Sequence, residues 1–261
     1  MPANNPANNL ANNPANFPAN NVDDVIVRGV KPMLWVPTKM ERERLIQFDA
    51  RFERAVISGF GLMETAIHAT RYLAEHTKMQ GGGSKQDNHQ ESDVRSGAAV
   101  AAVAMVGIAG TYHTDDAAVG SAMAFSHVRC DGLGVGQPPE FISHGELPFG
   151  DLPEHIRLDG FASSGFAPES NDSPGSPTGL VSVAAASGDF AQATERRERL
   201  TDCVAEDMES FAAAAVCAKF GVPFGVIRGF SNPAGDRQWS RWRIDDALSS
   251  VAKLADSMQW L

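Results

Sequence analysis

AEDMESFAAAAVCAKFGVPFGVIRGFSNPAGDRQWSRWRIDDA, residues 205–247, is the stretch on which the fold turns. Its alanine-rich run predicts a helix over 201–220. The short apolar segment VPFGVI predicts a buried strand over 222–227, and the periodicity beyond predicts a last helix over 244–258. A strand that is apolar throughout, set between helices, belongs in a parallel sheet covered on both faces. In open sheets of that kind, ligands bind just beyond the carboxyl ends of strands. Arg228, Ser231 and Asn232 follow the apolar run directly and are therefore candidate site residues. Ordinary turn chemistry before Pro233 is the other reading of Ser231 and Asn232.

Outward from this stretch, toward the N-terminus, strands and helices alternate. Strands are expected at 24–27, 33–36, 55–59, 103–108, 119–127 and 180–185, with a turn at Ala109-Gly110. Helices are expected at 41–52, with Leu45, Ile46 and Phe52 facing inward, and at 63–75. Two segments, 79–93 and 160–179, are rich in Gly, Ser and polar residues and are expected to be flexible loops. Residues 1–21 are an imperfect repeat of Pro, Ala and Asn. Ordering that tail would not repay its backbone entropy, so the expected domain runs from 22 to 261.

The chain has 261 residues, 43% hydrophobic, enough for one large α/β core. A net charge of −10 disfavours nucleic-acid backbones and anionic membranes as partners. Cys130, Cys203 and Cys217 are odd in number and widely spaced, so a reducing compartment is expected. The seven histidines show no metal-ligand spacing, and no metal is expected. The start lacks the pattern of a secretory signal. The longest apolar window, 97–110, falls short of the roughly 18 to 20 residues of a membrane helix, so a cytoplasmic location is expected. Gly59-Phe60-Gly61 lacks the third glycine of a dinucleotide fingerprint, and no phosphate-loop motif exists. Neither a nicotinamide cofactor nor any other is expected.

Glu209 stands out within the expected helix. Its neighbours at i+3, i+4, i+7 and i+11 are Ala212, Ala213, Val216 and Phe220, all apolar. A carboxylate on such a face needs a specific partner. The alternative is an acid in the first turns of the helix, complementing the dipole and still wetted.

Together, EDME, VPFGVIRGFSNPAGDRQWSRWRI, VPTKMERERL, SGFGLMETAIHAT and GIAGTY at 107–112 resemble the nucleoside phosphorylase and hydrolase superfamily, and within it the futalosine hydrolases. The resemblance covers most of residues 33–255. It implies a three-layer α/β/α fold with a central mixed, largely parallel sheet, and hydrolysis of the N-glycosidic bond of a purine nucleoside. The implied substrate is futalosine, cleaved to hypoxanthine and dehypoxanthine futalosine in menaquinone biosynthesis. By the same resemblance, Glu41 activates water, with Glu43 as the alternative, and Glu209 beside Met208 holds the ribose hydroxyls. Phe190 stacks on the base, Ile108, Ala109 and Gly110 lie beneath the sugar, and Trp242 flanks the 5′ substituent. A homo-oligomer, with a dimer favoured, is also implied.

Asn232 falls where adenine-specific relatives carry aspartate. An amide can donate to O6 or N7 of a 6-oxopurine, which suits hypoxanthine rather than adenine. The loop at 79–93 and the tail are not features of the family, and the segment between Asp189 and Asp207 is short for it. Arg237, Arg241 and Arg243 are the candidates to meet a substrate carboxylate. The competing readings are a methylthioadenosine or adenosylhomocysteine nucleosidase, a phosphorylase, and a silent nucleoside-binding protein. A phosphorylase needs basic residues around phosphate; Arg42 and Arg44 alternate with acids and read as surface helix charges.

Overall fold

The computed structural model describes residues 31–76, 100–113, 117–158 and 178–261. The tail, the expected strand at 24–27, the loop at 79–93 and residues 160–177 lie outside them. A mixed, largely parallel sheet forms the middle layer. Strands β1 (Met33–Val36), β2 (Val56–Ile57), β3 (Val103–Thr111) and β11 (Phe224–Pro233) run parallel, in the order β2-β1-β3-β11. Beyond the reach of β1, the end of β3 takes β10 (Cys203–Asp207) as an antiparallel neighbour. The sheet continues through β9 (Gly179–Val183) and β5 (His127–Asp131), both parallel to β10's direction, to β8 (His155–Arg157) at the edge. β4 (Ala122–Ala124) pairs antiparallel with β11, and β6 (Gly134–Val135) and β7 (Ile142–Ser143) form a separate small hairpin.

The period of two along each strand sorts side chains onto the two faces. Trp35, Val103, Met105 and Val226 pack with Ala69 and Leu73 of α2 (Gly61–His76) and with Phe211 and Ala214 of α4 (Ser210–Phe220). Leu34, Val36, Ala104, Val106 and Ile227 point the other way. They meet Leu45 of α1 (Lys39–Phe48) and Leu248 and Val251 of α5 (Ile244–Ser257). Both faces are thus covered, which is the three-layer arrangement. Helix α3 (Phe190–Arg199) packs through Ala193 on Val181 and Val183.

Several expected boundaries move. The helix at 201–220 begins only at Ser210, because Cys203–Asp207 forms β10, buried along its whole length between β9 and β3. Ladder bonds on both sides outweigh the helical preference of Ala and Glu there. The turn at Ala109-Gly110 is part of β3, and Ser231 and Asn232 lie inside β11 rather than in a turn. The single strand expected at 119–127 is divided between β4 and β5, and the helix at 41–52 gives way after Phe48 to a 3-10 turn at Ala50–Arg54.

Candidate active site

A cavity of about 270 Å³ opens beyond the end of β1, against residues 108–110 near the end of β3, and beside β10 and β11. Glu41 reaches it from the first turn of α1. Thr38 caps that helix: its Oγ1 accepts from the Glu41 amide, and Glu41 Oε2 accepts in return from the Thr38 amide at 3.1 Å and hydroxyl at 2.5 Å. Glu41 Oε1 accepts from the Ile108 amide at 2.9 Å, which ties the helix start to β3. Only 3% of Glu41 is exposed. Burial raises its pKa above the ordinary carboxylate value, against the attraction of Arg228 and these hydrogen bonds. Glu43 lies on the exposed side of α1, 3.5 Å from Lys39.

Glu209 occupies the N-cap position of α4 but makes no capping bond with its side chain. The helix-start reading of this residue is right about place; the wetted-surface part is not, since Glu209 is 5% exposed. Its Oε1 accepts from the Gly61 amide at 3.0 Å, and its Oε2 stands 3.3 Å from Arg228 Nη2. Burial pushes its pKa up to about 8; Arg228 opposes this, while Asp207 and Glu41 add to it.

Arg228 is the hub beneath both acids. It is fully buried, with Nε and Nη2 donating to Asp207 Oδ2 at 2.9 and 2.6 Å and Nη2 also reaching Ser210 Oγ at 3.1 Å. Its cross-strand partner is Gly107. A Cβ at Gly107 would stand 2.2 Å from Arg228 Nη1 and 2.6 Å from Glu41 Oε1, so only glycine leaves room for this pair. Nη1 has no hydrogen-bond partner among the described residues. Sequence alone does not single out Asp207, and it marks Arg228 only as a strand-end polar group. The signal was the density of acids in EDME, masked by its assignment to a helix.

Asn232 follows a shift of register between β11 and β3. Ser231 Oγ donates to Asn232 Oδ1 at 2.7 Å, and Asn232 Nδ2 donates to the carbonyls of Pro233 at 2.8 Å and Asp236 at 3.4 Å. Trp242 Nε1 donates to the same Asp236 carbonyl at 3.0 Å, and the Trp239 ring stacks on Trp242 at 4.3 Å. Arg237 sits over the Trp242 ring, 5.6 Å from its centroid.

The cavity brings together Glu41, Glu209, Asn232, Met208, Ile108, Ala109, Gly110 and Trp242. Phe190 is placed elsewhere. It is 59% exposed at the start of α3 and faces a second cavity of about 190 Å³, beside Tyr112 and Arg197. Asp189 caps α3, accepting from the Gln192 amide at 2.9 Å, and the Asp189 carbonyl packs on Gly235, whose φ of +87° leaves it side-chain-free. That packing directs Phe190 away from the first cavity. Of the three candidate arginines, Arg237 lines the cavity, whereas Arg243 is held by Asp246 and the Val119 carbonyl. His127, Asp202 and Cys203 cluster tightly enough to hold a cation, but Asp202 Oδ2 is already met by His127 Nε2 and Arg129 Nε.

A family model of the phosphorylase superfamily matches residues 54–258. A futalosine hydrolase of Streptomyces coelicolor is 30% identical over 161 residues, which cover 60% of this chain and 66% of that one. The match thus spans just under two thirds of that relative's length. Among solved structures, a 5′-methylthioadenosine/S-adenosylhomocysteine nucleosidase of Helicobacter pylori superposes with a TM-score of 0.60 at 16% identity, over 88% of this chain and 97% of that one. The futalosine hydrolase of Helicobacter pylori superposes with a TM-score of 0.58 at 16% identity, with the same coverage. At those identities the two structures speak for the fold.

Proposed function

Since the chain belongs to the phosphorylase superfamily, we propose that it is a nucleosidase that hydrolyses futalosine to hypoxanthine and dehypoxanthine futalosine, a step in menaquinone biosynthesis. The observation that carries this reading is the pair of buried carboxylates, Glu41 and Glu209, in the wall of one cavity, within a chain similar in sequence to three futalosine hydrolases. The C1′–N9 bond breaks with its electron pair passing to the purine, leaving an oxocarbenium-like ribosyl cation. Glu41 takes the proton of the attacking water, for which the raised basicity of a buried carboxylate is suited. Arg228, fully buried beneath both acids, acts on them through its charge and does not touch the water. Glu209 receives the 2′ and 3′ hydroxyls, and Asn232 stands at the heterocycle with Trp242 at the 5′ substituent.

Hydrolysis is favoured over phosphorolysis by where the arginines go. Arg42 is engaged with the carbonyls of Ala55 and Glu53, and Arg44 with Asp245 at 2.5 Å. Among the cavity-lining residues Arg237 is the single basic one. The three cysteines are free and buried, as a cytoplasmic enzyme permits. No helix of the described residues is long and apolar enough to cross a membrane. A homodimer is the proposed assembly, supported by exposed apolar side chains at Phe60, which lines the cavity just before α2, and at Met63 and Ile67 on α2. Incubation with futalosine, inosine and methylthioadenosine, with and without phosphate, tests the reaction. Hypoxanthine released from futalosine at a phosphate-independent rate is expected; release of adenine alone, or only with phosphate, overturns it.

A further inference from the structure

Glu206 is a carboxylate in the cavity wall that the reaction above does not use. Its oxygens are unequally served. Oε2 accepts from the Tyr112 hydroxyl at 2.8 Å, the Ser187 hydroxyl at 2.7 Å and Arg196 Nη1 at 2.7 Å. Oε1 accepts from the Ser187 amide at 2.8 Å, with Arg237 Nη2 at 3.6 Å. A carboxylate oxygen carries two lone pairs, so Oε1 keeps acceptor capacity. Arg237 is aimed by its Nε, which donates to the Ser187 carbonyl at 2.8 Å, and by the Trp242 ring beneath it. Its Nη groups make no hydrogen bond shorter than that 3.6 Å approach among the described residues. An acceptor and a charged donor thus stand side by side.

Gly110 is the cross-strand partner of Glu206 on β10 and of Asn232 on β11. The Ala234 backbone closes over Gly110, 3.3 Å from where a Cβ would stand, so a ligand meets these strands from the cavity. Glu206, Asn232 and Arg237 all line that cavity, where a flat bicyclic heterocycle can present one edge to Asn232 and another to Glu206 and Arg237.

We propose that Glu206 and Arg237 read the lactam edge of a 6-oxopurine, Glu206 Oε1 accepting its N1–H and Arg237 donating to its O6. This rests on the purine-nucleoside reading of the cavity. A 6-aminopurine presents the reverse pattern: a lone pair at N1 would face the carboxylate, and an amino group would face the guanidinium. Mismatched buried polar groups of that kind are expensive. The guanidinium also answers the reaction. As the glycosidic electron pair enters the ring, negative charge spreads to O6, where a charged donor binds more strongly. The amide hydrogens of Asn232 are turned instead to the Pro233 and Asp236 carbonyls.

Calorimetric titration of the full chain with hypoxanthine, adenine and 1-methylhypoxanthine tests this. The methylated base lacks N1–H and so probes Glu206 without disturbing its buried partners. Wild type is expected to prefer hypoxanthine to both others. Arg237→Met, at a half-exposed position, is expected to lose on the order of tenfold to a hundredfold in hypoxanthine affinity with its thermal midpoint unchanged. Equal binding of hypoxanthine and its 1-methyl derivative, no binding of any base, or an Arg237→Met protein that keeps the preference would each overturn the proposal. If wild type still releases hypoxanthine from futalosine in those cases, the reaction stands and the base-reading pair falls. If wild type prefers hypoxanthine and Arg237→Met loses the preference, yet no base is released, the pair stands and the reaction falls.

Discussion

Arg228 and Asp207 meet where solvent reaches neither side chain, Asp207 Oδ2 accepting from both Nε and Nη2. The guanidinium so anchored is what Glu209 and Glu41 lean on from above. Removing the anchor strands a buried positive charge among groups it no longer balances. Asp207→Ala is expected to cost about 3–5 kcal/mol of unfolding free energy. Urea denaturation measures it, and a cost below about 1 kcal/mol would show that Arg228 does not depend on this partner.

Glu209 predicts a dependence of stability on pH with a definite sign. Its folded-state pKa is raised to about 8 from an ordinary 4.5. Between those values the folded chain holds a proton that the unfolded chain has lost, so stability falls as pH rises. The contribution is complete below 4.5 and gone above about 8. Glu209→Gln removes this slope, while Glu41, raised in the same direction, remains in both proteins. Denaturant midpoints at pH 5 and pH 8 should therefore fall further in wild type than in the variant. Parallel falls would contradict the assignment.

The two acids of the MERER segment separate cleanly in activity. Glu41 is buried at the cavity, and Glu43 is solvated beside Lys39. Glu41→Gln is expected to lower the rate of base release by about 10²–10⁴, the usual worth of a positioned general base. Glu43→Gln should leave the rate unchanged and stability within about 0.5 kcal/mol. The wild-type rate should fall on the acid side through a pKa above 4.5, because burial makes Glu41 harder to ionise. Equal losses in the two variants would return the role to an open question between them.

The layers were legible because their periodicities are strong. Leu34 and Val36 alternate with Trp35, and Ala104 and Val106 alternate with Val103 and Met105, as a strand buried on both faces requires. β10 was not legible. Ala205 and Glu206 favour a helix locally, and only pairing with β3 and β9, far away in the chain, makes them strand. The same non-locality hid Asp207 and Glu206, whose meaning depends on Arg228, Ser187 and Arg196 reaching them from other elements. Motif order did bring Glu41, Glu209 and Asn232 to one cavity, because each sits at the end of an element whose register is set by the core.

Phe190 offers the sharpest contrast between resemblance and geometry. The resemblance gives it the face of the base, yet Asp189 and Gly235 hold the chain so that its ring points to solvent and the second cavity. Trp239 and Trp242, stacked at 4.3 Å, supply aromatic surface in the first cavity together with Phe60. A ring that does not meet the substrate cannot change its affinity, whereas losing a stacked one should. Phe190→Ala is therefore expected to leave KM for base release within about twofold and stability within about 0.5 kcal/mol. Trp239→Ala, also exposed at its outer face, should raise KM by about tenfold, as loss of an aromatic contact of roughly 1 kcal/mol or more implies. Steady-state kinetics on both variants decides between them. A tenfold rise for Phe190→Ala with none for Trp239→Ala would mean that the bound state turns the start of α3 inward, against the cap that Asp189 now makes.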